Sequence, residues 1–185
     1  VIGEPLRLRR RDGSGFLGAV SARAVHDSQG QVQYFMGIVQ DITDLANARA
    51  TIEERNRFLQ TLIDTIPSPI FFKDTAGAYQ LCNLAFARTV LGFERDQVLG
   101  KTVFDFPGRI PPDKAAIYHE ADMKLLREPG IQRYESEVSY SEGRTHLIHF
   151  TKATYLDARG QVAGVVGVMV DLTERREAEE ERRRA

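Results

Sequence analysis

Cysteine is nearly missing from this chain: Cys82 is the single one in 185 residues, which excludes an intrachain disulfide and any cysteine-rich metal site. No apolar run reaches the ~18 residues that a membrane-spanning helix needs, and no basic-then-apolar leader opens the chain. Neither sign of charge dominates. Lysine and arginine total 25 against 26 acidic residues, a formal charge of −1, so long-range attraction to nucleic acid or anionic lipid is not expected. The local arginine clusters, Arg7 with Arg9–Arg11 and Arg182–Arg184, read as solvated edges of a strand and a helix. What is present, 42% apolar and 28% charged residues, is the balance of a globular protein. A reducing, cytoplasmic setting fits the lone cysteine. The opening Val1-Ile2-Gly3-Glu4-Pro5 looks like a cut within a longer protein, so a membrane anchor could lie outside this segment.

An internal repeat organises the chain. Residues 10–44 align with residues 140–174 at a constant offset of 130 without a gap. Asp27, Gly30, Gln31, Val32, Gly37, Asp41 and Thr43 recur as Asp157, Gly160, Gln161, Val162, Gly167, Asp171 and Thr173. Each copy reads as a β-hairpin followed by a helix. A β-rich run (Phe16–Val25; His146–Leu156) enters an Asp-x-x-Gly turn whose glycine can take positive φ. A second apolar run follows, Val32–Val39 and Val162–Val170. Both copies close on Asp-(Ile/Leu)-Thr before a charged helical stretch. Asp41 and Asp171 are expected to cap those helices, with Asp44 and Glu174 as acidic partners in the first turn. Only nine residues precede the first copy, so residues 1–44 are expected to be the end of a truncated domain. Gly164-Val165-Val166-Gly167 and Gly13-Ser14-Gly15 read as strand and turn glycines.

Between the copies, residues 45–66 lack glycine and proline, and Leu45, Ile52, Leu59 and Ile66 recur at sevens with Ala48, Arg55 and Leu62 between them. That is a heptad trace, expected either as a linker helix pairing two protomers or as one amphipathic helix packed on its own domain. Pro67 and Pro69 stop it. Beyond lie short strands at Pro69–Lys73 and Ala78–Cys82 and helical segments at Asn83–Leu91, Asp96–Leu99 and Asp113–Arg127. A strand at Gln132–Tyr140 precedes the second hairpin. The order predicts an α+β domain over residues 67–174: a five-stranded antiparallel sheet with helices on one face. Residues 175–185 begin an output helix.

These residues resemble the PAS family, including its C-terminal PAC part. The resemblance rests on Pro69-Ile70-Phe71-Phe72-Lys73-Asp74-x-x-Gly77, Cys82-Asn83-x-x-Phe86, Gly100-Lys101-Thr102, Tyr134-Glu135 and the Gly164–Thr173 ending, in order along residues 56–174. It implies the PAS fold, flanking signalling helices, and a sensory role in bacterial histidine kinases, diguanylate cyclases or phosphodiesterases. It also implies homodimerisation through helices 45–66 and 175–185, an effector domain in the same parent chain, and a pocket that sometimes holds a small-molecule ligand.

Haem-binding PAS domains place an axial histidine on the long helix. His119 lies on that helix but in the polar stretch Tyr118-His119-Glu120-x-Asp122. Covalent flavin chemistry needs a cysteine in a different place from Cys82, and the absence of tryptophan weakens flavin stacking. The cofactor is therefore left open, with the residues arguing against both groups. His146 and His149 fall on opposite faces of a strand, so no metal site is expected. Candidate pocket residues are Asn83, Tyr118, Tyr134, His149 and Thr151 as polar groups, with Phe72, Phe86 and Phe104 as walls. Each could equally be plain core. No nucleophile–base pair, phosphate loop or paired carboxylates appear, so no catalytic residue is assigned. Asp41, Thr43, Asp171 and Thr173 are the expected signal-relay residues. The competing expectation is a ligand-free PAS domain acting as a dimerisation and spacer module.

Overall fold

A computed structural model describes residues 4–184; Val1–Gly3, in the expected first domain, and Ala185, in the expected output helix, lie outside the described residues. The chain forms two compact units, one running to Leu59 and the other starting at Gln60.

In the first unit, β1 (Leu6–Arg9), β2 (Gly15–His26) and β3 (Val32–Asp41) make a three-stranded antiparallel sheet. The helix α1 (Thr43–Thr65) follows directly. Strand β3 keeps its apolar residues in the open: Tyr34, Phe35, Met36, Ile38 and Val39 are each more than half exposed. Helix α1 buries none of its residues fully, and Leu45, Ile52, Leu59 and Leu62 of the heptad trace are all exposed. The helix ends at Thr65, two residues before Pro67, because proline disfavours helical backbone in the residue ahead of it.

The second unit contains β4 (Ile70–Asp74), β5 (Tyr79–Cys82), β6 (Ile131–Ser139), β7 (Thr145–Leu156) and β8 (Val162–Asp171). They form the expected five-stranded antiparallel sheet, ordered β5-β4-β8-β7-β6. Between β5 and β6 come a π-helix (Ala85–Leu91), α2 (Arg95–Val98), a 3₁₀ turn (Val103–Asp105) and α3 (Pro112–Arg127); α4 (Thr173–Arg184) follows β8. The segment predicted as an ordinary helix after Asn83 therefore winds more widely. It stops at Gly92, which adopts φ +77° and sits so close to Ser141 that an added Cβ would lie 2.9 Å from its Cβ.

Alternation along the strands divides the sheet into two faces. Phe71 and Lys73 on β4, Ile148, Phe150 and Lys152 on β7, and Val165 and Met169 on β8 are buried, while their sequence neighbours alternate with them. The core joins that face to Phe86, Leu91, Val98 and Phe106 from the helical layer.

The repeat seen in the sequence is also a structural repeat. Gly18 pairs with Asp41 and Ile148 with Asp171, and both hairpins shift register at the equivalent step, Val25/His26 and Tyr155/Leu156. Both turns are held alike: the Asp27 carboxylate accepts from the Gln29 and Gln31 amides, and that of Asp157 from Arg159 and Gln161, all at 2.8–2.9 Å.

One repeated glycine separates the units. At Gly167 an added Cβ would fall 2.2 Å from the Phe71 ring, whereas at Gly37 its nearest neighbour would be the Ser21 carbonyl oxygen at 3.5 Å. Gly167→Ala is thus expected to destabilise the second unit by about 1–3 kcal/mol through overpacking. Gly37→Ala should change stability by less than about 0.5 kcal/mol. Urea unfolding of both variants, followed with hydrogen exchange to assign each unit, checks this pair.

Candidate functional site

Beneath the helical layer, β4, α3 and β7 each contribute one charged side chain to the interior. Period-two alternation carries Lys73 and Lys152 to the core face of their strands. On α3 the inward stripe runs Ala115, Tyr118, Asp122 and Leu125, spaced by three and four residues as a helix requires. The three charges meet. Lys73 Nζ lies 2.7 Å from one Asp122 oxygen and Lys152 Nζ 2.5 Å from the other, with the residues only 2%, 1% and 1% exposed. Burial works against the Asp122 charge, but the two ammonium groups outweigh it and hold the carboxyl below its ordinary range. Aromatic faces also stabilise the two ammonium groups: Lys73 Nζ stands 4.8 Å from the Tyr79 ring centre, and Lys152 Nζ 5.4 Å from that of Tyr134.

The two lysines border a cavity of about 50 Å³, walled mainly by apolar residues including Phe86, Leu91, Ile110 and Met169. The other polar residues of its lining are Tyr79, Arg109, Tyr118 and Ser139. Of the pocket residues proposed from the sequence, Phe86 and Tyr118 line it. Tyr118 Oη is 3.5 Å from Ser136 Oγ. Tyr134 stacks on Phe150 at 5.0 Å and lies beside the Lys152 ammonium with its hydroxyl buried, but it is not among the lining residues.

The remaining candidates go elsewhere. Phe72 packs on Tyr155, and His149 and Thr151 sit on the strand positions alternate to Phe150 and Lys152. One step along a strand turns a side chain to the other face of the sheet. Phe104 is half exposed and stacks on His119, and His119 lies against Gly77. Cys82 is wholly buried, and burial pushes its thiol up to about 11.

Asn83 acts as a joint. Its side-chain oxygen accepts from the Ile70 and Phe86 amides, and its side-chain nitrogen donates to the carbonyls of Ile63, Ile66 and Ser68. Asp64 reinforces the same point, accepting from the Leu84 amide at 3.0 Å and from Arg95 at 2.5 Å, while Arg95 also donates to the Cys82 carbonyl. The end of α1 is thereby tied to β4, β5 and the helical layer. Asn83 was singled out in the sequence as a pocket residue, not as a joint, and the Lys–Asp–Lys cluster was not singled out at all. The signal for the cluster was there: charged residues standing on apolar periodicities.

At the two strand-to-helix junctions the aspartates cap as expected in kind, but from one position further out. Ile42 and Leu172 carry the first helical carbonyls, accepting from Ala46 and Arg176. Asp41 and Asp171 hold the first helical residue instead, accepting from both the amide and hydroxyl of Thr43 or Thr173 at 2.6–3.0 Å. Each threonine hydroxyl then accepts from a hairpin amide, Leu17 or Leu147. The copies differ in what faces the aspartate. Arg10 pairs with Asp41 and covers the Phe16 ring. In the second copy His146 replaces Phe16, approaches Asp171 at 2.6 Å and Glu142 at 2.8 Å, and stacks on Tyr140.

Comparison with known proteins agrees with this architecture. A family model described as PAS fold matches residues 63–177, and one described as PAS domain matches residues 1–44. The chain belongs to the PAS family. The virulence sensor protein BvgS of Bordetella bronchiseptica is 33% identical over 141 residues, which are 75% of this chain and 11% of BvgS. The aerobic respiration control sensor protein ArcB of Escherichia coli is 27% identical over 72% of this chain and 17% of its own. The solved PAS domain of Bordetella pertussis BvgS is 30% identical and superposes with a TM-score of 0.56 over 69% of this chain and 93% of that one. VqmA bound to DPO shares the fold at 24% identity, with a TM-score of 0.56 over 61% of this chain and 55% of that one. The chain thus spans under a fifth of the length of these curated sensor proteins.

Removing Asp122 strands two buried cations, so Asp122→Ala is expected to cost about 3–5 kcal/mol in urea unfolding. Lys152→Met leaves the neutral Lys73–Asp122 pair and should cost less than about 1.5 kcal/mol. The depressed Asp122 carboxyl contributes stability above its ordinary value of 3.8, lost as pH falls through the lower native value. With Lys152 gone that native value rises. Carbon NMR of the Asp122 carboxyl should show it protonating at higher pH in Lys152→Met than in the native chain.

Proposed function

We propose that residues 67–174 form a cytoplasmic sensor module in which occupancy of the cavity biases the sheet. The change then passes through β8 into α4 and on to an effector domain of the parent protein, such as a histidine kinase. One observation carries this reading. Met169 lines the cavity on the strand that ends at Asp171, and Asp171 holds the first residue of α4 through two hydrogen bonds. Three residues, Val170, Asp171 and Leu172, separate the sensor wall from the output helix. Ion pairs Arg176–Glu135 and Arg144–Glu177 further link α4 to the hairpin region of the same unit. A ligand moves such an equilibrium only by binding its two states unequally.

Signal input or output also runs through α1, whose end is bonded to Asn83 and, through Asp64, to Leu84 and Arg95. Residues 45–66 serve as the linker, with the exposed seam of Leu45, Ile52, Leu59 and Leu62 pairing two copies in a homodimer. Residues 1–44 are the final strands of a further PAS domain, supported by the register that β2–β3 shares with β7–β8. The fragment itself carries no catalysis. A cavity of only about 50 Å³, well below the roughly 300–1,000 Å³ of drug-sized sites, favours as a second reading a ligand-free dimerisation and spacer module.

A thermal-shift screen of small metabolites, followed by hydrogen exchange, separates the two readings. The sensor reading expects a stabilising compound that also alters amide exchange at residues 171–177. A binder that leaves those amides unchanged would remove the relay, and a screen without binders would leave the spacer reading. Light scattering at tens of micromolar should give a dimer, converted to monomer by Leu59→Glu; a monomeric native chain overturns the pairing.

A further inference from the structure

The charges around the cavity do not balance. Lys73 and Lys152 both form their ion pairs with one carboxylate, that of Asp122, and all three side chains are removed from water. Two positive charges against one negative leave a surplus of one in a dry interior. Isolated buried charge is costly, and the interior makes that cost large unless a counter-charge arrives. The aromatic faces of Tyr79, Phe71 and Tyr134 soften the imbalance but bring no formal charge. The third cation at the cavity, Arg109, has the same sign. Its guanidinium reaches the Ser141 carbonyl at 3.4 Å from an exposed position, where it would draw an anion towards the opening.

The rest of the lining restricts what the anion can be. Phe86, Val90, Leu91, Ile110 and Met169 present only carbon and sulfur surface, and the space is about 50 Å³. That space suits a few non-hydrogen atoms, given that about 10–15 Å³ of such volume holds one water. A strongly hydrated ion gains nothing from such walls, and a dianion would reverse the surplus instead of cancelling it.

We infer that the cavity takes a small organic monoanion, a carboxylate on a compact apolar body, whose oxygens complete the charge balance of Lys73 and Lys152. The inference rests on the sensor reading above and adds the chemical class of its ligand. Seated there, the carboxylate would compete with Asp122 for the two ammonium groups. Binding would then loosen or shift α3 against β4 and β7, the three elements the cluster joins, and the apolar body would press on Met169 of β8.

The test uses the whole chain and matched probes: sodium propionate and isobutyrate against propionamide and isobutyramide, with sodium chloride added to equal ionic strength. The carboxylates are expected to raise Tm by a few degrees at saturating concentration and to shift the Met169 methyl resonance saturably, while the amides and chloride do neither. Lys152→Met, which keeps a neutral ion pair, should weaken carboxylate binding at least tenfold. The methyl titration of the native chain stands on its own if that variant fails to fold. Equal shifts from amide and carboxylate overturn the anion assignment, as does carboxylate affinity unchanged in Lys152→Met. Equal shifts from chloride overturn the organic part. Neutral probes that bind and alter exchange at residues 171–177 would defeat this inference and leave the sensor reading intact. Carboxylates that bind without altering it would do the reverse.

Discussion

Three elements far apart in the chain meet on a single carboxylate. Asp122 stands on α3 and takes Lys73 from β4 and Lys152 from β7, so the helical layer is fastened to the sheet by charge as well as by apolar contact. An apolar helix–sheet interface tolerates sliding, because its attraction is non-directional. Two short ion pairs to opposite oxygens of one carboxylate do not. They fix where α3 lies along both strands, and the cavity between is a consequence of that placement. A buried ion cluster is weak evidence for stability, since desolvation can exceed the mutual attraction. Its contribution here is to position.

The second constraint is the strand-to-helix junction that the chain contains twice. In each copy an aspartate holds a threonine, and the threonine hydroxyl holds the neighbouring strand. The helix is thereby bonded both to the strand it follows and to the strand beside it. The copies share this bonding but not its electrostatic setting, which is a permanent guanidinium at Arg10 in one and an imidazole at His146 in the other.

Much of the architecture could be read from residue order alone. The hairpins, their turns, the five strands, the long helix and its stop at the prolines all follow from local patterns: period-two alternation, Asp-x-x-Gly turns and proline sterics. The site was less legible, and particular residues show why. Phe86 and Tyr118 reach the cavity, but Phe72, His149 and Thr151 do not, because strand parity turns them to the other face of the sheet. Phe150 and Lys152 share the parity of Ile148, which marks their face as the inner one. Asn83 was legible as a polar residue of interest, but its five hydrogen bonds serve backbone groups around the end of α1 and the start of β4.

What the sequence determined by itself is the repeat, the family and the order of elements, since these depend on neighbours within a few residues and on a self-match needing no coordinates. Only the tertiary structure decided which charges are inside and which side chains share a cavity. Lys73, Asp122 and Lys152 are separated by 49 and 30 positions. A lysine on an apolar strand face reads as an exception until its counter-ion is located. That depends on how α3 crosses the sheet, a long-range geometry that no local pattern encodes.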